Sequence, residues 1–384
     1  MNRISVMKPW LGTAETDAVA EVIASGWVAQ GPRTVAFEEA FAAHQQVDFA
    51  VATSSCTTAL QLALLVAGVK AGDDVVVPSF SFVATANAPT YVGARPVFAD
   101  VEELTGNVTA QTVRAVLTEK TTALIVVDQG GMPLDLQPLR ALCDELGLVL
   151  IEDAACGAGS TYRGAPVGAG ADVSAWSFHP RKLLTTGEGG MLTTNNMQWA
   201  KRARQLREHS MDVSAAERHN STLAPAESYK EVGYNFRMTD LQAALGLVQL
   251  DKLDTMVARR RFLASRYQQA FANVPGLRCV TDPEYGTSNF QSFWIELGPQ
   301  FGVDREGLLE RLAEDGISAR RGIMASHLQP AYAGHSGIVS PLPVTEHLTA
   351  NTLILPLYHQ LEEHEQDRVI TSVLSNVLAA TGGE

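Results

Sequence analysis

The 384-residue sequence predicts an α/β fold with a mostly parallel sheet, followed by a smaller α+β domain. The first two thirds alternate short apolar or β-branched runs with helix-like segments, and this alternation is typical of strands joined by crossover helices. The strand-like runs are residues 49–52, 75–77, 96–98, 123–127 and 148–151, and the helix-like segments include 58–67, 110–117 and 139–146. In such sheets, ligands bind beyond the carboxyl ends of the strands.

The last third of the chain has a different pattern. Residues 239–274 have helical periodicity without an internal proline, which predicts a connector helix between two domains. We therefore expect a large domain at 1–248 and a small domain at 249–384. The small domain is predicted to contain a strand at 292–297 and helices at 305–315 and 362–379. The polar, irregular stretch at 213–229 predicts a loop.

Composition excludes several functional classes. Hydrophobic residues make up 46% and charged residues 18%, as in globular proteins. The net charge of −13, with no basic cluster beyond residues 259–261, argues against nucleic-acid binding. The sequence has neither an apolar run of about 20 residues nor a secretory signal, so we expect no membrane association. Four scattered cysteines without a Cys-x-x-Cys pair argue against disulfides and structural zinc and favour the cytoplasm.

Lys182 lies between two predicted strands. The apolar run 172–178 precedes it, and a glycine-rich turn at 186–190 leads into the strand at 191–194. This arrangement holds the amine at the edge of a sheet, where a carbonyl compound can condense with it. The alternative is a solvated surface lysine, the commonest situation for this residue type.

Three further segments at predicted strand ends carry groups that can bind an anion, a cation or a flat ring. Residues 53–58 combine hydroxyl side chains with a predicted helix start, which suits an anion such as phosphate. Asp153 follows a buried strand and needs a positive partner, which a protonated pyridine nitrogen would supply. Residues 78–87 place an aromatic side chain near a strand end, where it can stack on a flat ring. Taken singly, each segment is also compatible with a helix cap, a turn cap or a core aromatic.

Together these groups are the parts that a pyridoxal phosphate site requires: an amine, a carboxylate for the ring nitrogen, a stacking ring and a phosphate cradle. No Gly-x-Gly-x-x-Gly motif follows the first strand, which disfavours a dinucleotide-binding fold.

Two longer motifs carry a family resemblance. Residues 177–190 read Ser-Phe-His-x-x-Lys-x-x-x-x-Gly-Glu-Gly-Gly, and residues 233–238 read Gly-Tyr-Asn-Phe-Arg-Met. With these motifs, and with similarity from 25–32 through to 353–358, the chain resembles the DegT/DnrJ/EryC1/StrS family of pyridoxal-phosphate-dependent sugar aminotransferases. The resemblance implies an aspartate-aminotransferase-like large domain (PLP fold type I) with a seven-stranded sheet. It also implies a homodimer with active sites at the subunit interface.

The resemblance assigns roles residue by residue. It implies that Lys182 forms the Schiff base with the cofactor aldehyde and that Asp153 pairs with the ring nitrogen. The remaining implied contacts are Phe82 stacking on the ring, Thr57, Thr58 and Ser177 on the phosphate, Cys156 near the ring hydroxyl, Asn235 reaching the phosphate from the neighbouring subunit, and His327 near the sugar. A lone histidine is more often structural than catalytic. No metal is implied.

The sequence departs from the family pattern at three positions. Cys56 replaces the usual glycine after the first strand, and Asp128 stands where histidine is common. Cys156 replaces the usual histidine or glutamine, and a thiol is a weaker hydrogen-bond partner than either. We expect these departures to affect the fine tuning of the cofactor's environment and the choice of substrate.

The implied reaction moves an amino group, by analogy from glutamate, to a keto-sugar, with ping-pong kinetics. The expected acceptor is a nucleotide-linked 3- or 4-keto-6-deoxy sugar. We expect burial and cationic surroundings to lower the pKa of Lys182. The alternatives are a cyclitol aminotransferase, a sugar dehydratase of the same fold, a non-catalytic ligand sensor and a nicotinamide oxidoreductase. Lys182 argues against the dehydratase, because dehydratases of this type carry histidine at that position.

Overall fold

Alternating strands and helices fill the N-terminal part of the computed structural model, which describes residues 3–212 and 227–380. In chain order these elements are α1 (Thr13–Ser25), α2 (Pro32–His44), β1 (Phe49–Thr53), α3 (Cys56–Val66), β2 (Asp74–Pro78), α4 (Val83–Thr90), β3 (Arg95–Ala99), α5 (Ala110–Arg114), β4 (Thr121–Val127), α6 (Leu136–Leu146), β5 (Val149–Asp153), β6 (Thr161–Tyr162), β7 (Ala165–Pro166), β8 (Val173–Ser177), β9 (Gly190–Thr194), α7 (Met197–Arg207) and α8 (Asp240–Asp251).

The central sheet has seven strands in the order β1-β9-β8-β5-β4-β2-β3. Strand β9 runs antiparallel to both of its neighbours, and the other pairs of adjacent strands are parallel. The predicted α/β class with a mostly parallel seven-stranded sheet is therefore confirmed. Strands such as β2 are buried along their whole length because helices cover both faces, which explains their valine-rich sequences.

The C-terminal part is built around an antiparallel sheet of four strands in the order β10-β12-β14-β13. Its elements, with the helix that leads into it, are α9 (Leu253–Phe271), β10 (Leu277–Cys279), β11 (Gly286–Thr287), β12 (Phe293–Leu297), α10 (Arg305–Glu314), β13 (Arg320–Arg321), α11 (Pro343–Asn351), β14 (Thr352–Leu355) and α12 (Glu363–Ala380). Strand β11 is not part of this sheet. It pairs with β6, which also pairs with β7, so a small three-stranded sheet joins residues from both parts of the chain.

The chain start packs with the C-terminal part. Ile4 is fully buried and forms a bridge with Ile317, and its side chain belongs to the hydrophobic core around β12 and β14. The division at residue 248 stays a prediction.

The predicted connector helix at 239–274 is two helices, α8 and α9, which meet at Lys252. The Lys252 ammonium pairs with the buried carboxylate of Glu15 and lies 4.8 Å from the ring centroid of Trp10. This junction is thus anchored to the N-terminal segment by long-range contacts, which the local helical periodicity of the connector does not reveal.

The predicted loop at 213–229 falls mostly outside the described residues, since 213–226 are not among them. The four cysteines form no disulfide with one another. Within the described part of the chain, we found no helix with the length and apolar character needed to cross a bilayer.

Candidate active site

The carboxyl ends of the parallel strands meet at one edge of the central sheet and bring the predicted residues to that edge. Asp153 is the last residue of β5, and Ser177 is the last residue of β8. Ser55 follows β1 and begins helix α3. The strand order places β8 next to β5, so Ser177 and Asp153 end neighbouring strands. This edge is where ligands bind in parallel α/β sheets.

The N-terminus of α3 forms a cradle for an anion. The Ser55 hydroxyl accepts the backbone N–H of Thr58 at 3.2 Å, while the Thr58 hydroxyl accepts the Ser55 N–H at 3.1 Å. The amides of Cys56 and Thr57 lie in the first helical turn, where no intrahelical acceptor exists, and they are available to a phosphate. Thr58 is already engaged in the cap, so Thr57 is better placed than Thr58 for the predicted phosphate contact.

A close backbone approach shapes this cradle. A Cβ atom on Gly190, the first residue of β9, would lie 2.4 Å from the Ser55 carbonyl carbon and 2.5 Å from the Cys56 nitrogen. Only glycine therefore lets β9 approach the start of α3. The Gly-Gly end of the lysine motif and the hydroxyl-rich segment at 53–58 are therefore in direct backbone contact.

Asp153 is a buried carboxylate held by three neighbours. Its Oδ2 accepts the Thr85 hydroxyl at 2.7 Å, and its Oδ1 accepts the Ala155 N–H at 3.2 Å and the Cys56 thiol at 3.8 Å. Burial raises the pKa of Asp153, although these hydrogen bonds and the nearby Lys182 oppose the rise. A cationic ring nitrogen would supply the counter-charge that this buried carboxylate needs.

Lys182 reaches the same region from a tight turn. Its backbone N–H donates to the His179 carbonyl at 2.8 Å, and its Nζ lies 3.0 Å from the Cys156 Sγ. Burial lowers the pKa of Lys182, but Cys156, Cys56 and Asp153 raise it, and the net direction is upward. The expectation of cationic surroundings that lower this pKa is therefore wrong, because the groups nearest the amine are thiols and a carboxylate.

A cavity of about 400 Å³ opens beside Lys182. Residues from the N-terminal segment, the lysine turn and the C-terminal sheet line it, among them Met7, Cys156, Arg181, Gln291, Arg320 and Ile354. Both parts of the chain thus contribute to the walls, and Lys182 is itself part of the lining.

The side chains of Phe82 and Asn235 are both exposed and lie outside the hydrophobic core. Phe82 is 65% exposed at the start of α4, one turn before the Thr85 that binds Asp153. Asn235 is exposed between Tyr234 and Phe236, whose rings stack on each other at 4.8 Å. In an extended segment, alternate side chains point in opposite directions, so Asn235 points away from that ring pair. Ring stacking by Phe82 and a cross-subunit phosphate contact by Asn235 stay predictions.

His327 lies apart from the lysine. It is buried against the end of β2, where its Nδ1 is 2.6 Å from the Ser79 hydroxyl and its Nε2 is 3.3 Å from Glu346. Among the described residues that line the cavity, His327 is absent. Its described contacts fasten the C-terminal part to the central sheet, and a contact with the sugar stays a prediction.

Sequence reasoning did not single out Thr85, Gln291, Arg181 or Arg320. Thr85 follows Phe82 by three residues on a helix, and that spacing was the available signal for a second contact on the same face. Gln291 and Arg320 come from distant segments without any motif, so only the folded chain brings them to the cavity.

The arrangement fits pyridoxal phosphate. It offers an amine in a cavity, a buried carboxylate without a cationic partner of its own beyond that amine, an exposed aromatic ring and free helix amides. This combination defines a pyridoxal-phosphate-dependent enzyme of the aspartate-aminotransferase fold.

Comparison with known proteins agrees with this class. The sequence profile of the DegT/DnrJ/EryC1/StrS aminotransferase family matches residues 9–374, and the chain belongs to that family. The protein is therefore a pyridoxal-phosphate-dependent transaminase of the sugar aminotransferase family.

Individual relatives cover nearly the whole chain. The spore coat polysaccharide biosynthesis protein SpsC of Bacillus subtilis (strain 168) is 36% identical over 375 residues, which span 97% of this chain and 96% of SpsC. The crystal structure of the aminotransferase TlmJ from Streptoalloteichus hindustanus is 38% identical, with a TM-score of 0.90 over 99% of this chain and 100% of TlmJ. The PLP form of the putative sugar aminotransferase Spr1654 from Streptococcus pneumoniae is 27% identical, with a TM-score of 0.91 over 98% and 99% of the two chains.

Proposed function

We infer that this transaminase moves the amino group of glutamate to a nucleotide-linked 3- or 4-keto-6-deoxy sugar and so forms an amino sugar. We further infer that it acts as a homodimer with shared active sites in the cytoplasm. The observation that carries this inference is that the cavity containing the Lys182 amine lies next to a larger groove. Arg320 lines both this cavity and a groove of about 1,110 Å³, so the site has room for a substrate longer than an amino acid. The relation to SpsC, named for polysaccharide biosynthesis, supports a sugar substrate.

Different residues of the chain have different roles in the proposed reaction. Bound pyridoxal phosphate supplies an electron-withdrawing ring that delocalises the electron pair left when a carbon–hydrogen bond is broken. Asp153 would hold the ring nitrogen in its protonated form, because burial without a cation is costly for its carboxylate. The free backbone amides of Cys56 and Thr57 would hold the phosphate through their N–H groups.

Lys182 Nζ is the group that can move a proton. As a free amine it can take the proton from the Cα of the donor and deliver it to the carbon on the other side of the transferred nitrogen, acting as general base and then as general acid. The upward shift in its pKa means that the amine must lose its proton before it serves as a base. The Cys156 sulfur, 3.0 Å from Nζ, accepts a hydrogen bond from this amine and holds it in place.

A panel of nucleotide keto-sugars tests the proposal. The purified protein, supplied with glutamate and each sugar in turn, should produce an amino sugar that is identified by its mass. Formation of product from one or more of these sugars, with release of 2-oxoglutarate, is the expected result. Transfer to a keto-inositol alone would instead establish the cyclitol aminotransferase, and loss of a hydroxyl group without amine transfer would establish the dehydratase.

A further inference from the structure

Two arginine side chains on the cavity wall have no partner within residues 3–212 and 227–380. Arg181 and Arg320 line the cavity that contains Lys182, and neither side chain forms an ion pair or hydrogen bond with any residue the structure describes. Neighbouring arginines in the adjoining groove behave differently, since Arg305 and Arg321 both pair with Glu306. Both side chains are exposed, so their N–H donors are free to bind an anion that enters the cavity.

The two guanidinium groups are close enough to repel each other. Burial and the positive charge of Arg181 both lower the pKa of Arg320. Such proximity is unfavourable unless an anion lies between the two groups. The fold nevertheless keeps both arginines at the cavity.

The backbone at each arginine is fixed. The Arg181 N–H donates to the His179 Nδ1 at 3.1 Å, and the Gln291 amide donates to the Arg181 carbonyl. Arg320 lies on β13, opposite Ile354 of β14. Residues directly opposite each other in a sheet share a face, and Ile354 also lines the cavity. The register of this small sheet therefore places Arg320 on the face of Ile354, at the cavity, whereas Arg321 lies on the other face and pairs with Glu306.

We propose that Arg181 and Arg320 form an oxyanion clamp that holds the acidic group of the substrate next to Lys182. Guanidinium groups bind carboxylates and phosphates through paired N–H donors, and two of them can enclose one anion. In a ping-pong reaction the two substrates occupy the same site in turn. The clamp therefore serves the carboxylate of the amino donor, the diphosphate of the nucleotide sugar, or both. The identity of these substrates rests on the proposed function, whereas the anion site itself does not.

The first test uses binding alone. Calorimetric titration with inorganic pyrophosphate should show binding to the holoenzyme and a loss of affinity of about 10- to 100-fold in Arg181→Gln and in Arg320→Gln, as expected for charge-assisted hydrogen bonds. Arg114→Gln is the control, because it removes an exposed arginine that lies outside the linings of both the cavity and the groove. Equal affinity in all four proteins would overturn the clamp.

The second test assigns the source of the anion. Single-turnover absorbance of the cofactor follows the glutamate half-reaction and the amino-sugar half-reaction separately. An increase of 10-fold or more in the half-saturating glutamate concentration in the clamp variants assigns the carboxylate, and the same increase for the amino sugar assigns the diphosphate. If neither half-reaction changes relative to Arg114→Gln, the clamp is wrong. If the wild type turns over neither substrate while pyrophosphate binding depends on both arginines, the proposed function fails and the anion site stands.

Discussion

At the scale of single residues, Asp128 and Glu152 form a buried carboxyl pair behind the cofactor site. The Asp128 Oδ1 accepts the Leu134 N–H at 3.3 Å, and the Glu152 Oε1 accepts the Gly168 N–H at 2.8 Å. The other two oxygens, Asp128 Oδ2 and Glu152 Oε2, have no donor among the described residues. Burial raises the pKa of both carboxyls, that of Asp128 well above its usual range and that of Glu152 to about 6. A single proton held between these two oxygens gives each of them a hydrogen-bond partner.

Replacing Asp128 tests the shared proton. Asp128→Asn supplies a permanent N–H donor to Glu152, so we expect an unfolding free energy close to that of the wild type at pH 7.5. Asp128→Ala leaves Glu152 without that donor and should cost about 1–3 kcal/mol, the usual penalty for an unsatisfied buried acceptor. Chemical denaturation of the cofactor-loaded proteins measures the difference. An alanine variant as stable as the asparagine variant would rule out a shared proton.

The pair also predicts a dependence on pH. The folded-state pKa of Glu152 lies above its unfolded value of 4.5, so the folded protein holds this proton more tightly than the unfolded chain does. The stabilisation is therefore fully present below about pH 4.5 and is lost as the pH rises through about 6. Burial also raises the pKa of Asp128, so the loss of its proton at higher pH destabilises the folded protein as well. Asp128→Asn removes this titrating group, and denaturation at several pH values should show a smaller loss of stability as the pH rises. An identical pH profile in the variant would contradict the raised pKa of Asp128.

The Asp128–Glu152 pair also shows which features of the site can be predicted from the sequence. Asp128 stood out because it departs from the family pattern, and its effect was expected in the fine adjustment of the site. Its partner could not be found from the sequence, because the contact depends on the register of β4 and β5, in which Val126 is opposite Glu152 and Val127 is opposite Asp153. Alternate residues of a strand point to opposite faces, so Glu152 points away from the side occupied by Asp153.

At the scale of secondary-structure elements, the approach of β9 to the start of α3 holds the phosphate cradle in shape. The two elements meet through backbone atoms at Gly190, Ser55 and Cys56, where an added Cβ would have to displace main chain. A main-chain clash cannot be relieved by a change of side-chain rotamer. The helix start must therefore move if the glycine is replaced.

Gly190→Ala should weaken cofactor binding and destabilise the fold. We expect a loss of about 1–3 kcal/mol in unfolding free energy from the overpacking, together with weaker retention of pyridoxal phosphate during dialysis. Gly298→Ala is the matched control, because its added Cβ would lie no closer than 3.6 Å to the nearest atom. If the two variants keep cofactor and stability equally well, the contact between β9 and α3 does not shape the site.

Elements with clear periodicity were predictable, and very short ones were not. The predicted strand at 123–127 and the predicted helix at 305–315 correspond closely to β4 and α10. The three-stranded sheet of β11, β6 and β7 went unseen, because strands of two residues have no period to detect. The predicted helix at 110–117 ends early at Arg114.

At the scale of the whole molecule, the proposed homodimer accounts for the exposed position of Asn235. The residue lies in the second of the two family motifs, yet its side chain faces outward on the described chain. A polar side chain in that position is explained if it completes the phosphate site of a partner subunit. Sedimentation should then give a mass of twice 41.2 kDa.

Mixing two inactive variants tests whether the sites are shared. Lys182→Ala lacks the proposed reactive amine, and Asn235→Asp places a negative charge where the phosphate is expected. After subunit exchange, each hybrid dimer has one site with both native residues, so about one quarter of the sites should be active in an equal mixture. No recovery of activity in a mixture proven to contain hybrids would place both residues in the same subunit.

The most direct test of the account is chemical trapping of the cofactor on the chain. Treatment of the pyridoxal-phosphate-loaded protein with borohydride, followed by proteolysis and mass spectrometry, should place a stable pyridoxyl group on the peptide that contains Lys182 and leave Lys182→Ala unlabelled. A label on another lysine, or no label on a protein that has retained its cofactor, would contradict the assignment of Lys182 as the reactive amine.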